Sequence, residues 1–263
     1  MNTFYSSTQS PLFNKDSVHF ILTNKVSNSY NTSKSPYNSL NLAYHVGDTR
    51  ENVQSNRQAI MQTYYPNKTL LYLNQIHSAD IIDIQHTNLT TSLDEILLGN
   101  GDGIICDSQD YVCLIMTADC NPILMYCPTQ RVFALLHAGR LGTTMGIVTN
   151  GVTKLQQQYN VIASNIKIFI GASIRACCYE IGLDIAEYIR LNFGNKYLHY
   201  DMSSKNSIRL DMIAMLYDEM LACGILTEHI EILSSCSCCD KRYFSYRRDG
   251  VTGRFGLFAC IKQ

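Results

Sequence analysis

Three polar residues interrupt otherwise apolar stretches: His77 in LNQIHSAD, Cys120 in MTADCNP and His137 in LLHAGR. Each sits at the end of a run with strand character, and strand ends along one sheet edge are where sequence-distant side chains meet. Two imidazoles and a thiolate suit zinc, and three protein ligands with a fourth position open to water is the pattern of catalytic zinc sites. Such a metal brings the pKa of its water towards neutrality. The same residues admit a second chemistry, in which Cys120 attacks a carbonyl with His77 or His137 as base. Spacing does not separate the two, nor set either apart from buried strand-end residues satisfied by local hydrogen bonds. Asp119, next to Cys120, is placed to orient a ligand or accept a proton, and equally to shape a turn.

Two further stretches bear on anions. In AGRLGTT (138–144), Gly139 and Gly142 bracket a turn that opens a helix, so free N–H groups and the helix dipole would face an anion beside His137. A tight strand-to-helix turn calls for the same glycines. Towards the C-terminus, YFSYRRDGVTGRF gathers Arg247, Arg248 and Arg254 around a DG turn. Guanidinium forks suit phosphate or carboxylate, and one of the three is expected to be only solvated. The cysteines of CSCC (236–239), with Cys177 and Cys178, lack the paired CxxC knuckles of four-cysteine zinc sites, so their spacing argues against a metal there.

The elements that must position these residues are strands in the middle of the chain. LLYLNQI (70–76), GIIC (103–106), VCLIMT (112–117), PILMYC (122–127) and VFALLHA (132–138) are short apolar runs bounded by turn residues, with PTQR (128–131) joining the last two as a hairpin. Beyond Thr143 the period becomes helical, with Ile147, Val148, Gly151, Val152, Leu155 and Tyr159 on one face. IKIFIGA (166–172) returns to strand; Ile181, Ile185 and Tyr188 mark a second helix, and Leu210, Ile213, Tyr217, Met220 and Leu221 a third, stopped by Gly224. EIL (231–233), RYFSYRR and FGLFACI are further strand candidates. Polar segments at 23–39 and 86–95 read as loops. The pattern predicts a mixed α/β or α+β layered fold, and the hairpin argues against a purely parallel sheet.

Composition narrows the class. A chain of 263 residues with 46% hydrophobic residues buries a sizeable core, and a net charge of −1 gives no electrostatic case for a nucleic-acid or anionic-membrane partner. No apolar stretch reaches membrane-spanning length. The start, MNTFYSSTQSPLF, lacks a basic segment followed by an apolar one, so a soluble cytoplasmic protein is expected, with its 11 cysteines reduced. Cys106, Cys113, Cys120 and Cys127 repeat every seven residues across strand-like segments, a coincidence of spacing.

Taken in order, LNQIHSAD, NGDGIICD, MTADCNP, LLHAGRLGT, IGASIRACCYEIG and YFSYRRDGVTGR resemble the motifs of the YfiH-type laccase-domain family, once described as multicopper polyphenol oxidases. YNSLNLAYHVGD and the NR at 56–57 extend the likeness upstream, so it covers about residue 20 to the C-terminus. The resemblance implies a single layered α/β domain spanning 1–263, with mixed sheets flanked by helices. It implies one zinc held by His77, Cys120 and His137, a nucleoside and phosphate as partners, and Asn41 and His45 lining the cleft. It implies phosphorolysis of adenosine, inosine, guanosine and methylthioadenosine, with deamination of adenosine; for these Cys120 and Asp119 are the catalytic candidates, and Gly139, Arg140, Gly142, Arg247 and Arg248 the candidates for contacting substrate. Some bacterial members are linked instead to amide hydrolysis on peptidoglycan precursors, and a third reading is a zinc-holding protein without turnover. No His-rich pattern supports multiple copper ions. The chain departs from the family at HAGRLG, where Arg140 and Leu141 replace Trp and Arg, and at TNKVSN, where a Thr-Arg-x-Gly-Gly is expected.

Overall fold

A computed structural model describes residues 4–25, 32–86, 89, 94–200 and 207–262. Parts of the loops expected at 23–39 and 86–95 lie outside these. The strands in chain order are β1 (Tyr5–Ser6), β2 (Val18–Leu22), β3 (Thr69–Asn74), β4 (Ile81–Asp83), β5 (Glu95–Asn100), β6 (Gly103–Cys106), β7 (Tyr111–Thr117), β8 (Asn121–Cys127), β9 (Val132–Ala138), β10 (Lys167–Ile170), β11 (Glu180–Ile181), β12 (Leu198–Tyr200), β13 (Ile208–Leu210), β14 (Ile230–Ile232) and β15 (Phe255–Ile261). The helices are α1 (Arg50–Tyr64), α2 (Arg140–Thr144), α3 (Ile147–Tyr159), α4 (Leu183–Phe193), α5 (Met212–Ala222) and α6 (Tyr246–Asp249).

Two six-stranded mixed sheets, β1-β2-β15-β7-β3-β5 and β14-β10-β8-β9-β6-β4, carry the architecture, with a small third sheet, β11-β13-β12. One core cluster takes side chains from both large sheets, among them Phe20, Leu71, Ile115 and Leu257 from the first and Leu124, Phe133, Leu135 and Phe169 from the second. These residues alternate with others that face the outer layers, and β8, β9 and β15 are buried along their whole length, β7 at every residue but Tyr111. The outer face of the second sheet packs on Val148, Val152 and Leu155 of α3 and Leu216 and Met220 of α5. Ile60 of α1 covers the first sheet with Leu40 and Leu42, and Ala186 and Ile189 of α4 pack on the small sheet. Layers of sheet flanked by helices are thus present, as the mixed pattern requires.

β8 and β9 pair antiparallel from Asn121↔Ala138 to Cys127↔Val132, the expected hairpin. That register sets Pro122 opposite His137 and leaves Cys120 just before β8. The strand expected at RYFSYRR is absent: Tyr243 and Phe244 are buried in the core without pairing, and Tyr246–Asp249 form one helical turn capped by Ser245, whose hydroxyl accepts the Arg248 N–H at 3.2 Å. Its apolar residues mark core contact rather than strand. α1 has a polar sequence and few buried positions, and so no strong periodicity announces it; Thr49 caps it by accepting the Asn52 N–H.

Candidate active site and metal centre

His77, Cys120 and His137 converge, with their ligating atoms within 4.8 Å of one another. His77 follows β3 in a left-handed conformation (φ 62°), Cys120 ends the β7–β8 connection, and His137 stands on β9. The two imidazoles meet edge to face, centroids 4.9 Å apart. The Cys120 carbonyl accepts the Thr117 hydroxyl (2.7 Å), and Asn121 donates to the Ala138 carbonyl (3.0 Å), so both strand ends are tied. Gly139 is required here by close approach: a Cβ would lie 2.8 Å from His77 Cδ2 and 3.1 Å from Cys120 Sγ.

Behind the cluster lies Asp102, fully buried. Its carboxylate accepts Nδ1–H of His137 at 2.8 Å, the N–H of His77 at 3.1 Å and that of Ser78 at 2.6 Å. Two of the three donors are thereby oriented by one residue, and Nε2 of His137 is left for the cluster. Burial raises the pKa of Asp102, but the bonds from His137 and Ser78 outweigh it and hold the carboxyl below its ordinary value. Desolvation opposes ionisation of Cys120, yet the adjacent His137 and His77 bring its thiol down to about 6. His137 moves the other way, to about 9, because the Cys120 thiolate and Asp102 overcome its desolvation. A thiolate and two oriented imidazoles with a buried carboxylate behind them are a donor set that zinc fits. Asp102 lies in the quoted NGDG, but nothing in its spacing marks it as a partner of His137.

The cluster opens into a cleft of about 310 Å³, at the lower end of the range for small-molecule sites. His45, Asp119, Arg247 and Arg254 line it, with Met116, Ile174, Tyr179 and Tyr246 as apolar and aromatic walls. Loss of solvent, with the Arg254 and Arg57 guanidinium groups nearby, pushes the His45 pKa below its ordinary value. Arg247 lies over the Tyr179 ring and donates to the carbonyls of Cys178 and Glu180.

Other expected site residues fall elsewhere. Asn41 is buried and saturated: it donates to Ala43 and Asp48 and accepts the N–H of Ala43 and of Arg254. It holds Arg254 in place without lining the cleft. Asp119 accepts the Ser237 hydroxyl at 2.6 Å and the Arg247 N–H at 2.7 Å, so both oxygens anchor neighbouring loops. Arg248 is spent on the carbonyls of Ser237, Cys238 and Tyr243 and on Asp249, and is not among the cleft-lining residues; Arg254 is. AGRLGTT turns from β9 into α2, a helix of only five residues with Gly139 at its N-cap. Gly142 lets the Ser78 carbonyl approach, to 2.8 Å from where a Cβ would lie. Arg140 neighbours Tyr179 at the rim. Gln75, missed by sequence reasoning, exchanges two hydrogen bonds with the Met116 backbone at the cleft wall.

The expectation against a four-cysteine cluster is overturned in its geometry: Cys177, Cys178, Cys236 and Cys239 have sulfurs within 4.8 Å of one another. Spacing missed this because one pair is adjacent in sequence and only the other is a CxxC. Among the described residues these two groups are the sets of three or more potential ligands.

Comparison with known proteins agrees with the motifs and the fold. The purine nucleoside phosphorylase YlmD of Geobacillus stearothermophilus is 30% identical over 232 residues, covering 86% of this chain and 85% of that protein. A purine nucleoside phosphorylase of Clostridium acetobutylicum is 31% identical over 230 residues, covering 86% of this chain and 89% of its own. The crystal structure of YlmD superimposes with a TM-score of 0.87 at 27% identity, covering 100% of this chain and 98% of that one. No described helix is long and apolar enough to cross a membrane. The family described as multi-copper polyphenol oxidoreductase laccase matches residues 24–262, and the chain belongs to it, in its YfiH-type branch.

Proposed function

We propose that the chain is a zinc-dependent purine nucleoside phosphorylase that acts on adenosine, inosine, guanosine and methylthioadenosine and also deaminates adenosine. The observation that carries this reading is the oriented His77–Cys120–His137 cluster at the floor of a cleft whose wall holds two arginines. The names of the relatives point to the same activity. Zinc, held by these three residues, supplies a Lewis acid and a water of lowered pKa when bound.

In phosphorolysis a phosphate oxygen bonds to C1′ of the ribose while the C1′–N bond to the purine breaks, and the base leaves with a proton. Arg247 and Arg254 receive the phosphate, and Met116, Ile174, Tyr179 and Tyr246 give the base an apolar, aromatic wall. In deamination a water oxygen bonds to C6 of adenine and ammonia departs. Asp119 acts by fixing Arg247 and the Ser237 loop, since both its oxygens are engaged. The test is product analysis from adenosine with and without phosphate. Adenine and ribose 1-phosphate should appear only with phosphate, inosine should appear in either case, and both should vanish in His77→Ala. Metal-replete protein that turns over no purine nucleoside would refute the reading, and amide hydrolysis on a peptidoglycan precursor would replace it.

A further inference from the structure

We propose that Cys177, Cys178, Cys236 and Cys239 form a second, closed zinc centre that ties the segment 173–180 to the segment 235–241. The fold, not the spacing, assembles it. Ser173 and Cys236 form a parallel bridge, and the Ser237 N–H donates to the Ser173 carbonyl at 3.0 Å, so the two segments run side by side. In the first, the N–H groups of Cys178 and Tyr179 both donate to the Arg175 carbonyl, a turn that presents Cys177 and Cys178 together. In the second, the Asp240 N–H donates to the Cys236 carbonyl at 2.8 Å and folds Cys239 back beside Cys236.

The sulfur geometry suits a tetrahedral ion. Cys177–Cys178, Cys177–Cys239 and Cys178–Cys239 are 3.7, 3.7 and 3.3 Å apart, and the fourth sulfur is within 4.8 Å of all of them. Four thiolates about 2.3 Å from zinc have sulfur–sulfur edges of roughly 3.8 Å. A disulfide, at about 2.05 Å, joins two sulfurs and leaves no reason for the other two to gather. The donors are all soft, none is water-facing carboxylate or imidazole, and four protein ligands leave no open position, the mark of a structural site.

Arg175, whose carbonyl anchors the Cys178–Tyr179 turn, brings a cation to the same segment. The Arg175 guanidinium donates to the carbonyls of Gly171 and Leu233 and keeps Nη1 buried without a hydrogen-bond partner. Zinc with four thiolates carries two negative charges, which such a cation offsets. Cys177 and Cys239 are exposed, so the ion has a path of entry. The tied segments also build the cleft: Ser237 holds Asp119, and the Cys178 carbonyl holds Arg247.

The test separates the two centres by removing the first. Untagged His77→Ala/Cys120→Ala protein, expressed with zinc, should retain about one zinc per chain where the wild type has two. Exchanged into cobalt(II), this variant should show sulfur-to-metal charge-transfer bands and tetrahedral ligand-field bands. Adding Cys178→Ser and Cys239→Ser should abolish both. If that fourfold variant does not fold, the zinc count and the cobalt spectrum of the double variant, with all four cysteines intact, decide alone. A folded double variant that is free of metal, with thiols open to native-state titration or with a Cys178–Cys239 disulfide two mass units lighter, would overturn the proposal. The readout is metal content, so it stands or falls independently of nucleoside turnover.

Discussion

The two ligand clusters differ in who holds the ligands. At His77, Cys120 and His137 the donors come from strand ends, and a buried carboxylate, Asp102, orients two of them. At the four cysteines the donors come from two loops, held side by side by the Ser173–Cys236 bridge and the Ser237 N–H on the Ser173 carbonyl. The first set is three-membered and opens into a cleft; the second is four-membered and closed on itself. Rigid strands fix an incomplete coordination shell without needing the metal, which keeps a position free for chemistry. Loops gain most from a complete one, because the ion itself supplies their order.

The largest effects should come from breaking this asymmetry. Cys120→Ala removes a donor that nothing can replace, so turnover should fall by more than the roughly 10–100-fold that loss of an outer-shell partner costs. Thermal stability should change little, since the strands hold without it. Cys178→Ser/Cys239→Ser should do the reverse, lowering Tm while leaving measurable turnover in the folded fraction. Equal effects of both on Tm and activity would erase the distinction. Asp102→Asn comes next. It keeps an oxygen for only one of the His77 and Ser78 N–H groups, which use different carboxylate oxygens, and loses the charge facing His137, so affinity for the first metal should drop about 10–100-fold or more in chelator competition. Zinc at the cysteines should be untouched.

How much of this was legible in the sequence follows from what each feature rests on. β6, β9 and β15 were readable to the residue because both their faces are buried and their edges are cut by Gly, Asp or Arg. The three clustered donors, His77, Cys120 and His137, were readable because each polar residue breaks an apolar run. Asp102 and Gln75 were not, because they act through partners 24 to 41 residues away in sequence, which only the fold brings near. Arg248 and Arg254 exchange their expected roles for a local reason: residue 248 falls inside the α6 turn, where carbonyls surround its guanidinium, and residue 254 falls just before β15, at the cleft. Cys177 and Cys178 were dismissed because a bridge between loops leaves no periodic trace.

Smaller substitutions sharpen the same comparison. Arg254→Gln should raise the KM for phosphate by roughly tenfold or more, the size of a lost charge-assisted hydrogen bond. Arg248→Gln should leave that KM nearly unchanged and lower Tm, because its partners are the carbonyls of the cysteine loop. The smallest effect concerns Asp48, which holds Asn41 and through it the Arg254 backbone. Burial raises the Asp48 pKa, but hydrogen bonds from Ser33, Asn52, Asn41 and the Thr49 N–H outweigh it and leave the group below its ordinary value. A carboxyl with a depressed folded-state pKa adds stability above its unfolded value, about 3.9, and that stability is lost as pH falls through the folded value. In metal-free protein, Asp48→Asn should therefore destabilise at neutral pH and progressively less below about pH 4, where the wild type loses the same contribution. A destabilisation independent of pH would mean that shape, not charge, is what Asp48 gives the cleft loop.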